Sequence, residues 1–316
     1  MDTVAIEAAA QGGAGYGERV YHSLSITFLS VLLIYLAVCA GVWAWQSHLI
    51  FEPERRLHNT PADYKFPIED VAIPLPDASA TPQFLHGWWI PSPQPRAKTI
   101  LYLHGNDGNV STNMPGAEPL RRLGYAVFMI DYRGFGESGG GFPSESGVYH
   151  DAQAAWDYLV HARGIAPSDI LIYGHSLGGA IAIDLATRHA DAAGLVVESS
   201  FTSIRDMAGL DREYSLLPLD LMINQRFDSI DKVGILRLPV LYLHGTGDEL
   251  VPFDMGRRLF RATPSAVDFV AVTGAGHEGS AAQGNVQLSA AIDQMLSHNL
   301  PAPATLAVTR VSHGHT

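Results

Sequence analysis

The stretch 170–186 constrains the fold more than any other part of this 316-residue chain. It opens with Ile170-Leu-Ile-Tyr173, passes through Gly174-His-Ser-Leu-Gly178, and continues as Gly179-Ala-Ile-Ala-Ile-Asp-Leu-Ala186. A strand-length apolar run, a glycine-flanked turn and a helix-length run, in that order, place one serine at the tip of a sharp strand-to-helix turn. The turn brings neighbouring chain so close that Gly174 and Gly178 must stay small. It also leaves Ser176 at a helix N-terminus, where backbone N–H groups and the helix dipole favour negative charge. The pentapeptide alone is a weak signal, and its flanks give it weight.

The same alternation runs along most of the chain. Strands are expected at 70–75, 84–90, 99–103, 125–130, 170–173, 195–197, 240–243 and 269–272, with a turn at 76–82 joining the first two. Helices are expected at 144–163, 177–189, 253–262 and 281–298. Continuous rather than alternating apolar runs indicate strands covered on both faces. Strand–helix alternation argues for an α/β fold, a mostly parallel eight-stranded sheet with helices on both faces. Hydrophobic residues make up 47% of the chain and charged residues 16%, enough apolar material for a large core. The net charge is −12 without a basic run, which argues against a nucleic-acid partner.

Segment 200–238 breaks the rhythm. Its Met207, Leu216, Leu217, Leu219, Leu221, Met222 and Ile223 fit either a small helical cap or ordinary core. The tail 299–316 reads as loose, and its His313 and His315 as part of a terminal tail rather than a metal site.

Residues 23–47 carry no charge. A helix over 24–46 has about 22 residues at ~1.5 Å each, or ~33 Å, which matches a bilayer core of roughly 30 Å. Trp43 and Trp45 stand where an interfacial aromatic belt would be. The expectation is therefore a short tail at 1–23, a transmembrane anchor at 24–46 and a catalytic domain at 47–298. A cleavable signal peptide is the competing reading, but the region before the run is long and carries Asp2, Glu7 and Glu18 against Arg19, unlike a short basic leader. A buried core helix is the third. Arg19 on one side and Arg55 and Arg56 on the other do not set an orientation. Cys39, the single cysteine, excludes an intramolecular disulfide and multi-cysteine zinc sites. It reads as a small hydrophobe facing lipid.

A serine hydroxyl becomes a nucleophile only when a base takes its proton, and a histidine held by a carboxylate is the usual base. The order expected for a serine on such a turn is Ser, acid, His. His277, in the loop Gly274-Ala-Gly-His277-Glu278, is the expected base; His189 reads as facing away on the helix after the turn, His244 as buried structure and His298 as facing solvent. Asp248, in His244-Gly-Thr-Gly-Asp248, is the expected acid, with Glu198 as the alternative and a plain helix cap as the bland reading of Asp248. A tetrahedral intermediate needs two N–H donors, expected from Leu177 and from Asn106 in the loop His104-Gly-Asn-Asp-Gly-Asn109. Asp131-Tyr-Arg-Gly-Phe-Gly-Glu-Ser138 reads as scaffolding, with Arg133 pairing locally.

These strings, together with Glu198-Ser-Ser-Phe-Thr-Ser-Ile204 and His244-Gly-Thr-Gly-Asp-Glu-Leu-Val-Pro252, resemble the α/β-hydrolase superfamily over about residues 24–298. Within it the chain is similar to the bud-emergence (Bem) group. The resemblance implies a Ser-Asp-His hydrolase tethered by its N-terminus and acting on esters or thioesters, with no metal or organic cofactor implied. It does not fix the substrate, small-molecule or lipid; the anchor together with the apolar segment 200–238 points to a lipid-derived acyl substrate. A serine peptidase or amidase on the same fold is the alternative, and a non-catalytic scaffold a remote third. Asp107 departs from the group's pattern, where an alanine is expected.

Overall fold

The computed structural model describes residues 3–75 and 83–298. The expected turn at 76–82 and the tail 299–316 lie outside these residues. Helix α1 (Thr3–Ile50) starts well before the expected 24 and ends four residues later than 46. Within it, Tyr21–Ile50 has a mean hydropathy of 2.3 and is a candidate membrane span by length and composition.

The chain then enters a short strand, β1 (Glu52–Pro53), followed by β2 (Glu69–Leu75), β3 (Gln83–Ile90), β4 (Thr99–Leu103) and β5 (Asp107–Gly108). Helix α2 (Met114–Arg122), β6 (Ala126–Ile130), α3 (Glu145–Asp157), β7 (Ile170–His175) and α4 (Leu177–Ala186) come next. The second half carries β8 (Gly194–Glu198), the short helices α5 (Ile204–Ala208), α6 (Leu219–Met222) and α7 (Ser229–Val233), then β9 (Val240–Gly245), α8 (Phe253–Ala262), β10 (Ala266–Val272), α9 (Ser280–Gln283) and α10 (Asn285–His298).

Among the described residues the main sheet has eight strands, in the order β10-β9-β8-β7-β4-β6-β3-β2. Strands β2 and β3 pair antiparallel, as do β3 and β6, and the other pairs are parallel. All residues of β4, β6, β7, β8 and β9 are buried, because helices cover both faces. Two cores result. Leu101, Leu103, Ile172 and Val197 face α3 and α4 in one. Ile100, Tyr102, Leu171 and Val196 pack with Leu120 of α2 and Leu288, Ile292 and Met295 of α10 in the other.

Other details also differ from expectation. Helix α2 was not foreseen, because Met114-Pro-Gly-Ala-Glu-Pro holds two prolines and a glycine, poor residues in a helix interior. It forms because Pro115 occupies the first turn, where a missing N–H is harmless, and because Met114, Ala117 and Leu120 bury one face. The expected helix at 281–298 breaks at Gly284, which lies so close to Val272 that a Cβ would clash. The expected 177–189 helix stops at Ala186, capped at Thr187.

Strand β1 pairs parallel with β5, Glu52 opposite Asp107 and Pro53 opposite Gly108. The segment leaving α1 is therefore built into the loop that follows β4.

Candidate active site

The candidate residues leave the C-terminal ends of four parallel strands, β4, β7, β9 and β10, the crevice where ligands bind in open α/β sheets. Asn106 follows β4, Ser176 follows β7, Asp248 follows β9 and His277 follows β10.

Ser176 joins β7 to α4 with φ 55° and ψ −121°, a conformation costing a non-glycine residue roughly 1–3 kcal/mol. Its surroundings hold it there. Its N–H donates to the Glu198 carbonyl at 2.9 Å, and its carbonyl accepts from Ser200 Oγ at 2.8 Å and from the Gly179 N–H at 2.9 Å. The two flanking glycines are needed for the close approach: a Cβ on Gly174 would strike the Gly178 carbonyl, and one on Gly178 the carbonyl oxygens of Leu103 and His104. Gly178→Ala is therefore expected to cost about 3 kcal/mol through overpacking against unyielding backbone. That lowers Tm by roughly 10 °C in a domain of this size, as thermal denaturation followed by circular dichroism would show.

The imidazole of His277 stands between two partners. Its Nε2 lies 3.0 Å from Ser176 Oγ and its Nδ1 2.9 Å from Asp248 Oδ2. The loop after β10 reaches this position because Gly245 and Gly247 of the neighbouring strand end admit the Ala275 carbonyl: Gly247 N–H donates to it at 2.9 Å, and a Cβ on Gly245 would collide with it. Asp248 Oδ1 accepts the N–H groups of Leu250 and Val251 at 3.0 and 2.8 Å, so one oxygen starts the next turn while the other meets His277. Burial pushes the Asp248 carboxyl up, but hydrogen bonds from His244 and His277 and from the Val251 N–H outweigh it and hold the group well below the usual carboxylate range.

His244 is where the sequence reading fell short. It is buried, as expected, but its Nε2 lies 3.2 Å from Asp248 Oδ2 and 3.0 Å from the Val251 carbonyl. It is a second imidazole on the acid, fixing the carboxylate that faces His277. The spacing in His244-Gly-Thr-Gly-Asp248 was the available signal.

The rejected alternatives lie elsewhere. Glu198 accepts from Tyr173 Oη at 2.7 Å and from the Ala281 N–H at 2.8 Å, and its oxygens are spent tying β8 to β7 and α9. His189 stacks on Trp156, and His298 ends α10. Arg133 pairs with buried Asp151, its NH2 nitrogen 2.6 Å from Oδ1. In the same segment Asp131 joins His86 Nδ1 at 2.7 Å and the Val110 N–H at 2.8 Å. Asp107 is exposed.

Leu177 is the first residue of α4, so its N–H has no acceptor within the helix. Asn106 is anchored by its other groups: its carbonyl accepts the Glu52 N–H at 2.8 Å and its side-chain Nδ2 donates to the Ile50 carbonyl at 2.9 Å. Leu177 and Asn106 both line, with Ser176, a cavity of about 300 Å³. Its remaining walls are largely apolar, with Phe201, Ile204, Met207 and Met222 among them. His175, His277 and Glu278 offer ligand atoms within 4.8 Å of one another, the one such group among the described residues. Glu278 is exposed there, and His277 is already engaged by Asp248 and Ser176.

Residues 94–230 match the family model described as "Serine aminopeptidase, S33". The α/β hydrolase domain-containing protein WAV2 of Arabidopsis thaliana is 33% identical over 251 residues, covering 72% of this chain and 80% of its own. Protein bem46 of Schizosaccharomyces pombe is 31% identical over 244 residues, covering 74% and 80%. The chain belongs to the α/β-hydrolase family. In fold the hydrolase also resembles the Pyrococcus furiosus esterase Pf2001, with a TM-score of 0.60 at 21% identity over 78% of this chain and 98% of that one. The family match spans the Ser176 turn of the hydrolase and the Asn106 loop but ends before Asp248 and His277, so the convergence of those two on Ser176 is a property of the folded chain.

Proposed function

We propose that this hydrolase is a membrane-anchored serine hydrolase that cleaves carboxylic esters or thioesters through an acyl-enzyme. Residues 24–46 serve as the anchor, 47–298 as the hydrolase domain and 200–238 as a small cap over the site. One observation carries the reading: Ser176 Oγ, the His277 ring and Asp248 form a continuous hydrogen-bonded chain of 3.0 and 2.9 Å.

In this reading His277 Nε2 takes the hydroxyl proton as Ser176 Oγ attacks the substrate carbonyl carbon. The carbonyl oxygen becomes an oxyanion held by the N–H groups of Leu177 and Asn106. The carbonyl re-forms as the bond to the leaving alcohol or thiol breaks, and that group receives the proton from His277. Water then attacks the acyl-enzyme, giving its proton to His277, and Ser176 recovers a proton as the carboxylic acid departs. Asp248, kept ionised, holds the ring in the tautomer with Nε2 free to accept and stabilises the imidazolium once it forms.

The apolar cavity beside Ser176 supports an acyl chain as the group recognised. The description of the matching family model favours a second reading, a serine aminopeptidase. An aminopeptidase needs an anion for the free amine of its substrate, and Asp211 is the carboxylate on the cavity lining; it already accepts the Glu213 N–H at 2.9 Å. A panel of p-nitrophenyl esters of graded chain length, run beside aminoacyl p-nitroanilides, separates the two. Esterase activity rising with chain length, at least tenfold above any anilide hydrolysis, is the expected outcome; the reverse order would replace the esterase reading with the peptidase one.

A further inference from the structure

We propose that the last turns of α1 are a wall of the acyl-binding pocket, so that the helix selects a single-chain acyl ester lying beside it in the bilayer. The inference rests on the serine-hydrolase reading and on α1 crossing a membrane.

A tether needs no contact with the site it carries, yet Val42, Gln46, Leu49 and Ile50 line the cavity over Ser176. Gln46 is only 6% exposed on a stretch of helix, 21–50, that is otherwise largely open. Its Nε2 donates to the Met222 carbonyl at 2.6 Å, and its Oε1 accepts the N–H groups of Asn224 and Gln225 at 2.9 and 3.3 Å. A buried amide satisfied at both ends by backbone of one segment is a specific joint, since leaving either end unpaired is costly. Asn224 Nδ2 adds a bond to the Trp43 carbonyl at 3.1 Å. At the foot of the helix, the Ile50 carbonyl and the Glu52 N–H hold Asn106. One helix end thus positions both the chain-binding wall and the loop expected to hold the oxyanion.

The joint continues along the apolar stretch. Tyr35 Oη donates to the Leu216 carbonyl at 3.0 Å. Tyr35 precedes Trp45 by ten residues, about 15 Å of helix rise, so the cap lies alongside the part of α1 made for lipid. The cap's own surface agrees: Leu216 is 82% and Leu221 86% exposed, and together with the lipid-facing side of α1 they form an apolar surface that a bilayer would cover. An acyl chain beside α1 enters a cavity walled by the same helix, and its ester carbonyl meets Ser176 at the far end. The volume, about 300 Å³, is at the small end of the roughly 300–1,000 Å³ typical of ligand pockets and suits one chain.

The test uses the full-length protein in phosphatidylcholine nanodiscs, with acetyl and dodecanoyl p-nitrophenyl esters and with Ser176 labelling by a fluorophosphonate. Val42→Trp is expected to lower the dodecanoyl-to-acetyl ratio of kcat/KM at least tenfold, whereas Leu33→Trp, on the exposed side of the helix, leaves the ratio and the labelling as in the unmodified protein. Val42→Ala, which removes volume and endangers no packing, is expected to move the preferred chain toward greater length. An unchanged ratio in Val42→Trp with labelling intact overturns the proposal; if that variant does not fold, an unchanged chain-length profile in Val42→Ala overturns it. Failure of the unmodified protein to label at Ser176 is a different result, which removes the serine-hydrolase reading beneath the proposal.

Discussion

Ser176→Ala is expected to lower kcat toward the best ester by about 10⁶-fold, the scale for removing the nucleophile of a serine–histidine–carboxylate constellation. KM is expected to change little, because the cavity walls that bind the chain are untouched. Stability is expected to stay the same or rise slightly: the serine's hold on the fold runs through its backbone N–H and carbonyl, which bond to Glu198, Ser200 and Gly179, and alanine keeps both. The measurement is single-turnover hydrolysis beside fluorophosphonate labelling, with thermal denaturation as the control. A residual rate within tenfold of the unmodified protein would remove Ser176 from the chemistry. Because the Leu177 and Asn106 donors remain, some rate above that of water alone is expected to survive.

Asp248→Asn is expected to lower kcat by about 10⁴-fold. The carboxylate accepts from His277 Nδ1 at 2.9 Å, which leaves Nε2 free to take the serine proton. An asparagine that turns its NH₂ toward the ring favours the opposite tautomer, with the proton on Nε2 and no base facing Ser176. The effect carries a pH signature. The folded state holds the Asp248 carboxyl below its ordinary value, so the ionised group contributes stability that is fully present above that value, near ~3.9 for an aspartate in an unfolded chain. The contribution is lost as pH falls through the folded-state value, where the native protein also takes up the proton. The stability difference between the unmodified protein and Asp248→Asn is therefore expected to be full at neutral pH and to shrink below about pH 4. Urea denaturation at several pH values measures it; a difference that grows on acidification would contradict the assigned hydrogen bonds. His244→Gln tests the second imidazole on the acid, with a smaller loss of kcat and unchanged KM expected.

Much of the sheet was legible because its strands are buried on both faces and read as unbroken apolar runs. Strands β4 and β7 start where such runs start. The edge strand β10 began earlier than expected: its first residues, Ala266-Val-Asp268, are partly or fully exposed and lack the continuous pattern. Helix α2 is not legible because its prolines and glycine outweigh its buried Met114, Ala117 and Leu120 in any local count, and packing against the sheet reverses that balance. The second role of His244 had only its four-residue spacing from Asp248 as a signal, and that spacing alone does not tell a histidine that fills space from one that grips the carboxylate.

The order of residues by itself determined that Ser176 would stand on a strained strand-to-helix turn, that a mostly parallel sheet would have its central strands covered on both faces, and that one N-terminal helix would be apolar enough for a bilayer. Each follows from interactions within a few residues of chain: the sterics of a glycine-flanked turn, the period of apolar side chains, the length of an uncharged run. Only the tertiary structure decided that His277 meets a serine 101 positions away and an aspartate 29 away, and that Gln46 joins a segment 176 residues on. Contacts of that range depend on how the layers stack. A leucine or valine that faces lipid carries the same local pattern as one that walls a pocket, and only its neighbours in the folded chain distinguish them.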